Sequence, residues 1–315
     1  MKSRINTASD VLEISDAIFK LKRQKNGIIM AHYYQDGVVQ DVADYIGDSL
    51  GLAQSGERSE AEIIVLAGVR FMAETAKILN PQKKVLIPDL DAGCSLADSC
   101  SAHRYSDFIV RYPDHVKVTY VNCSVEVKAL SDILCTSANA LKVINSIPSE
   151  QPILFGPDKN LGAYLMAKTG RKMVLWDGCC DLHDSFDGAH ILKLKEQHPQ
   201  ALVLVHPECK KSVLDLADFV GSTTDMLKFT KERGESFIVV TEAGVLHQMR
   251  KSSPEKTFIA LPAGGETDGA VCAEMRKCSL DKILTSLQEE VFEVTIPEEL
   301  RKQALIPLKR MLELG

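Results

Sequence analysis

One pattern occurs three times along this chain of 315 residues, and the repeat limits the fold more than any other feature. Short apolar strands ending in polar residues stand at Ile28-Ile29-Met30-Ala31-His32, Val116-Lys117-Val118-Thr119-Tyr120 and Leu202-Val203-Leu204-Val205-His206. Seventeen residues past each polar end is a hydroxyl, at Ser49, Ser137 and Thr223. Five residues before each hydroxyl is an aspartate, at Asp44, Asp132 and Asp218, followed by an apolar pair that predicts a short strand feeding a new helix. Each copy continues with a strand (63–66, 153–155, 237–240), a helix and a last strand (85–87, 173–175, 258–261), beyond which come Cys94, Cys180 and Cys272. The hydroxyls are 88 and 86 residues apart and the cysteines 86 and 92.

Strands alternating with helices predict parallel βαβ units with right-handed crossovers. The expected fold class is α/β: three homologous α/β/α units with small parallel sheets around a pseudo-threefold axis and an active site at their junction. The units are expected at 1–104, 105–190 and 191–284, with segment 285–315 closing back on the first. Ligand chemistry is expected at the carboxyl ends of the strands, where all three polar sets fall. The tail from Pro297, with Glu298 and Glu299 in its first turn, suits a closing helix that Pro307 should kink or interrupt.

An apolar share of 45% is ample for packed cores. No run approaches the roughly 18 apolar residues of a membrane span, and the first residues read as an amphipathic helix without a signal-peptide stretch. The expected compartment is the cytoplasm. A net charge of −6 without a basic block argues against nucleic acid or an acidic membrane as main partner, leaving a small molecule.

Nine cysteines are many for a reducing compartment. Three thiolates from three distant loops suit a [4Fe-4S] cluster. Its fourth iron would lack a protein ligand, and an open Lewis-acid position suits elimination of a hydroxyl. Cys100, Cys123, Cys135, Cys209 and Cys278 have no counterparts in the other copies and read as small core residues. Cys179 adjoins Cys180, and the repeat alone does not separate them. A structural zinc site would show closely spaced Cys-x-x-Cys pairs, and none occurs.

Ser49, Ser137 and Thr223 each stand where a helix is expected to begin. Helix starts favour carboxylate or phosphate, so three such places imply an anionic substrate with several acidic groups, although plain N-capping accounts for any one hydroxyl alone. His32-Tyr33-Tyr34-Gln35 and His206-Pro207-Glu208 supply acid-base groups beside strand ends. His103, His115, His190, His198 and His247 read as core or surface residues, and His183 as at most a supporting neighbour of Cys180. Lys77, Lys83 and Lys84 read as solvated faces.

Several segments together resemble the quinolinate synthase family along nearly the whole chain. They are Ala31-His32-Tyr33-Tyr34-Gln35, Ile46-Gly47-Asp48-Ser49-Leu50, the run from Gly68 to Pro81, Tyr120-Val121-Asn122, residues 156–161, His206-Pro207-Glu208 and Gly221-Ser222-Thr223. The resemblance implies a [4Fe-4S] cluster on Cys94, Cys180 and Cys272, and prefers Cys180 to Cys179 because the family cysteine sits three before the histidine at 183. Some members carry a Cys-x-x-Cys-x-x-Cys run ending at the last ligand. Here Glu266 and Gly269 stand in place of the earlier two cysteines, so no disulfide switch is expected. The resemblance implies that His32, Ser49, Tyr120, Asn122, Ser137, His206, Glu208 and Thr223 bind substrate; from residue chemistry, Tyr34, Glu208 and His206 are the expected acid-base groups. The implied reaction joins iminosuccinate to dihydroxyacetone phosphate, loses phosphate and water, and forms quinolinate for NAD biosynthesis. An aspartate-oxidising enzyme is the expected functional partner. The competing readings are an iron-sulfur hydro-lyase of another pathway, a non-catalytic electron-transfer or iron-sensing protein, and a metal-free nucleotide binder. The last lacks any Gly-x-Gly-x-x-Gly or P-loop pattern after the first strand.

Overall fold

The computed structural model describes residues 7–263 and 269–315, so Glu266 lies outside the described residues. The chain is α/β and builds three four-stranded parallel sheets of identical order, with the first strand of each set second from the edge. The first sheet holds β1 (Gly27–His32), β2 (Tyr45–Gly47), β3 (Ile63–Ala67) and β4 (Lys84–Leu86). The second holds β5 (Val116–Tyr120), β6 (Ile133–Cys135), β7 (Ile153–Gly156) and β8 (Met173–Leu175). The third holds β9 (Leu202–Val205), β10 (Phe219–Val220), β11 (Ser236–Val240) and β12 (Thr257–Ala260).

Even the register repeats, Met30 pairing with Tyr45, Val118 with Ile133 and Leu204 with Phe219. The repeated aspartate explains why. Asp44 donates its N–H to the Ile29 carbonyl at 2.8 Å while its Oδ2 accepts the Ile29 N–H at 2.8 Å. Asp132 makes the same two bonds with Lys117 at 3.0 and 2.8 Å, and Asp218 with Val203 at 2.9 and 2.8 Å. A one-residue slip would break both bonds and turn the edge strand inside out. The conserved spacing of these aspartates within the chain is therefore structural.

Alternate residues of the third sheet pack on opposite faces. Val203, Val205, Ile238 and Val240 enter one apolar cluster, and Leu204, Phe237 and Val239 enter another. The first two sheets instead share one continuous core with the C-terminal helices. The helix Leu280–Glu289 packs on helix Ala8–Gln24 and β3, and the chain after it pairs with β4 through Val294 N–H to the Val85 carbonyl at 2.8 Å. The last helix, Glu298–Glu313, lies against β6 and the helices Arg70–Leu79 and Val125–Ala129.

Two expectations are corrected. Of the kink or interruption expected at Pro307, the interruption does not occur: the last helix runs through the proline, whose flank of Ala304, Leu308 and Met311 is buried. That packing outweighs the roughly 3 kcal/mol an interior proline costs. Lys83 is not solvated but buried, its Nζ donating to the carbonyls of Gly56 and Ser59. Those carbonyls end the helix Ser49–Arg58 and need donors from outside it. Lys77 is also largely covered, bonding the Lys83 carbonyl at 2.8 Å.

Replacing Asp218 with alanine removes a charge-assisted bond with no compensating ion pair, and is expected to destabilise the protein by about 1.5–3 kcal/mol. Asp44→Ala and Asp132→Ala also lose pairs with Lys22 and Lys117, so their denaturation midpoints should fall at least as far. Unchanged midpoints would refute the clasp.

Candidate active site

In all three sheets the carboxyl ends of the strands open onto one cavity of about 430 Å³. Its wall brings together His32, Tyr34 and Ser49 after the first sheet's strands, Tyr120, Asn122 and Ser137 after the second's, and His206, Glu208 and Thr223 after the third's. Cys94, Cys180 and Cys272 line the same space, whereas Cys179 does not. The positions are repeat equivalents. His32 and Tyr120 end β1 and β5, His206 follows β9, and two residues further on stand Tyr34, Asn122 and Glu208. The five other cysteines are buried, as read from the sequence.

The hydroxyls differ in setting. Asp48 caps the helix Ser49–Arg58 by accepting the Gly51 N–H at 2.9 Å, and Ser222 caps Thr223–Glu232 through the Asp225 N–H at 3.1 Å. Ser49 and Thr223 are thus the first helical residues and their hydroxyls are not spent on capping. Ser137 departs from expectation, because its helix begins only at Ala140. Asn139 Oδ1 takes the Thr136 N–H at 2.8 Å and holds residues 137–139 in a turn.

A buried polar line crosses the cavity wall. The Tyr120 hydroxyl donates to Glu208 Oε1, and Glu208 Oε2 lies 3.0 Å from His183 Nδ1. His183 Nε2 is 2.9 Å from Thr241 Oγ1, which is 2.6 Å from the Tyr34 hydroxyl. His183 and His206 stack with centroids 4.6 Å apart, and the Tyr34 ring meets His32 edge-on at 4.5 Å. His183 Nδ1 is also 3.3 Å from Cys180 Sγ, so this histidine connects the sulfur with both ends of the line. His183 is more central than its sequence context conveyed, and Thr241 was missed. The signal for Thr241 was its place directly after a third strand.

Burial would raise Glu208, but His183, His206 and the Tyr120 hydroxyl outweigh it and hold the carboxyl below its ordinary range. Burial lowers His32 and His206 to about 3, against the pull of Glu208, so both imidazoles are neutral near pH 7. Burial and the Glu208 charge push the Tyr34 and Tyr120 phenols well up. The line therefore contains one ionised carboxylate among protonated hydroxyls. Asp158, fully buried nearby, is pushed up by burial and by Glu208, which splits the two acids as close carboxylates do. Asn122 lines the cavity, and its Oδ1 is buried without a hydrogen-bond partner among the described residues.

Two donor sets could hold a metal. Cys94 and Cys180 precede the short helices Ser95–Asp98 and Asp181–Asp184, and Cys272 precedes the turn Met275–Lys277. Burial pushes the Cys94 thiol up to about 12 and raises Cys180 and Cys272, and Cys94 feels the charges of Glu208 and Cys272 while Cys180 feels those of Glu208 and Cys94. The second set is Cys180, His183 and Glu208, whose ligand atoms lie within 4.8 Å of one another.

The family described as quinolinate synthetase A protein matches residues 16–313. Relatives named quinolinate synthase include that of Microcystis aeruginosa, 53% identical over 304 residues that cover 96% of this chain and 95% of the relative. That of Synechocystis sp. is 51% identical, covering 96% of each chain, and that of Thermosynechococcus vestitus 52%, again covering 96% of each. A family match over residues 16–313, with identity above one half along almost the full length, leaves a single conclusion: the chain belongs to the quinolinate synthetase A family of enzymes.

Proposed function

We propose that the chain is a quinolinate synthase in which Cys94, Cys180 and Cys272 hold one [4Fe-4S] cluster. It would condense iminosuccinate with dihydroxyacetone phosphate to quinolinate, with loss of phosphate and water, in cytoplasmic NAD biosynthesis. The observation that carries this reading is the convergence of three repeat-related cysteines and nine repeat-related polar residues on one cavity. The donor chemistry fits the cluster, because thiols on one cavity wall that burial keeps from ionising become thiolates once a cationic centre binds them. When bound, the cluster would offer one iron without a protein ligand as a Lewis acid toward a substrate oxygen or nitrogen.

The remaining work falls to the side chains. Ser49 and Thr223, at the starts of ten-residue helices, suit the carboxylates of a dicarboxylate substrate, and Ser137 offers a third hydroxyl. The unpartnered Asn122 carbonyl suits a hydroxyl or imine N–H. Glu208, held ionised, is the base for a substrate proton. Tyr34 and Tyr120, held protonated, are the donors to a departing hydroxyl. His183 and Thr241 lie between Glu208 and Tyr34 and give a proton taken at one end a hydrogen-bonded route to the other. Neutral His32 and His206 accept backbone N–H groups of Tyr34 and Glu208 at Nδ1, at 3.1 and 3.4 Å, which leaves Nε2–H to meet substrate oxygen. An aspartate-oxidising enzyme would supply the iminosuccinate.

A second reading rests on the Cys180, His183 and Glu208 set, which would hold a single metal ion and leave Cys94 and Cys272 without a role. Metal analysis separates the two. Anaerobically reconstituted protein should carry about four irons per chain, lost in Cys94→Ala, Cys180→Ala and Cys272→Ala but kept in Cys179→Ala. One metal per chain, lost in His183→Ala and kept in Cys94→Ala, would establish the single-ion site. Failure of the loaded protein to form quinolinate from both substrates would sink the assignment of reaction. Tyr34→Phe and Glu208→Gln should each keep the iron while lowering kcat by about 100-fold or more. Full turnover in either would remove that residue from the proton path.

A further inference from the structure

The contacts that hold the cysteine loops repeat as well. Two residues past the third strand of each sheet stand Val69, Asp158 and Glu242. The residue after each donates its N–H to the carbonyl two residues before the cysteine: Arg70 to Ala92 at 2.8 Å, Lys159 to Gly178 at 2.8 Å and Ala243 to Ala270 at 2.9 Å. This main-chain link forms in all three copies, including the one with valine. The loop can therefore be attached to the sheet without a carboxylate.

What the carboxylates add is a bond to the cysteine itself. Asp158, fully buried, divides its oxygens between the Leu161 N–H at 2.7 Å and the Cys180 N–H at 3.2 Å. Glu242, also fully buried, takes the Gly244 N–H at 2.6 Å with one oxygen, and the Cys272 N–H at 3.4 Å and Arg276 Nη2 at 2.8 Å with the other. Val69 cannot do this. In that copy Gly93, next to Cys94, gives its N–H at 2.7 Å to Glu274 Oε2, from the loop that carries Cys272. With the amide at or beside the cysteine pinned, the sulfur is aimed chiefly by one side-chain torsion.

We propose that Asp158, Glu242 and Glu274 are positioning residues, each fixing the backbone of one cysteine so that the three sulfurs converge. The proposal rests on the reading of Cys94, Cys180 and Cys272 as ligands; Asp158 and Glu242 stand behind the cavity lining, and Glu274 is part of it. It also predicts locality, because each acid serves one loop.

The test uses Asp158→Asn, Glu242→Gln and Glu274→Gln, which keep size and one acceptor oxygen. In Asp158→Asn that oxygen still caps the helix Lys159–Thr169, while the new NH2 faces the Cys180 N–H, so the cap survives and the cysteine bond is lost. Iron-free full-length protein is alkylated with iodoacetamide and each cysteine is followed by peptide mass spectrometry. Asp158→Asn should speed modification of Cys180 about tenfold, Glu242→Gln that of Cys272 and Glu274→Gln that of Cys94, with core Cys123 and Cys135 unchanged. Iron content after reconstitution should fall in the same variants. Unchanged rates, or rates that rise at Cys123 and Cys135 in parallel, would overturn the proposal by showing no tether or only general loosening. Wild-type protein that takes up no iron would defeat the cluster reading, while the alkylation pattern would still decide whether the tethers act locally.

Discussion

The clasp between an aspartate and the opposite strand is the interaction on which the placement of the site depends. A parallel sheet has no hairpin to set its register, so the alignment of neighbouring strands must come from side chains or crossover packing. Here one aspartate before each second strand engages both polar groups of one residue on the first, its carboxylate accepting the N–H and its own N–H donating to the carbonyl. That fixes where the first strand ends, and the residues at or directly after its end are His32, Tyr120 and His206. Three sheets with one register present three comparable edges, and the cavity is where those edges meet.

The cavity wall is rich in buried groups that do not tolerate isolation. Glu208 shows how this is managed. A carboxylate with 3% exposure would ordinarily be neutral, yet a histidine at 3.0 Å, a second histidine and a phenol keep it charged. Together with burial, the larger cause, the same charge raises the Asp158 carboxyl and the Tyr34 and Tyr120 phenols. One ionised group thereby helps set the protonation of its surroundings, which is a condition for directed proton transfer at neutral pH.

Much of this was legible in the sequence because the chain states its plan three times. Buried parallel strands read as short apolar runs, a weak signal singly, but agreement among three copies located all twelve strands to within a residue or two. The polar strand ends and the cysteines were legible for the same reason. What escaped the reading has tertiary causes. Lys83 looks like any surface lysine until the end of a neighbouring helix needs a donor. Pro307 looks like a helix breaker until its flank is buried. Ser137 looks like a helix start until Asn139 folds back on Thr136. Asp158 and Glu242 escaped because the first copy has valine in their place, so comparison of the repeats conceals the position.

The division of the apolar core has a further consequence. The first two sheets and the C-terminal helices share one continuous core, whereas the third sheet is covered by clusters of its own. The cavity wall draws on both sides of that division: Cys94, Cys180 and Cys272 all pack against the shared core, whereas His206, Glu208 and Thr223 follow strands of the third sheet. An occupant held by the sulfurs and also by His206, Glu208 and Thr223 bridges two bodies, the first two sheets with their shared core and the third sheet with its own clusters. Its binding free energy is then also docking free energy, by thermodynamic linkage, and whatever favours closure of the two bodies tightens its hold on the occupant by the same factor.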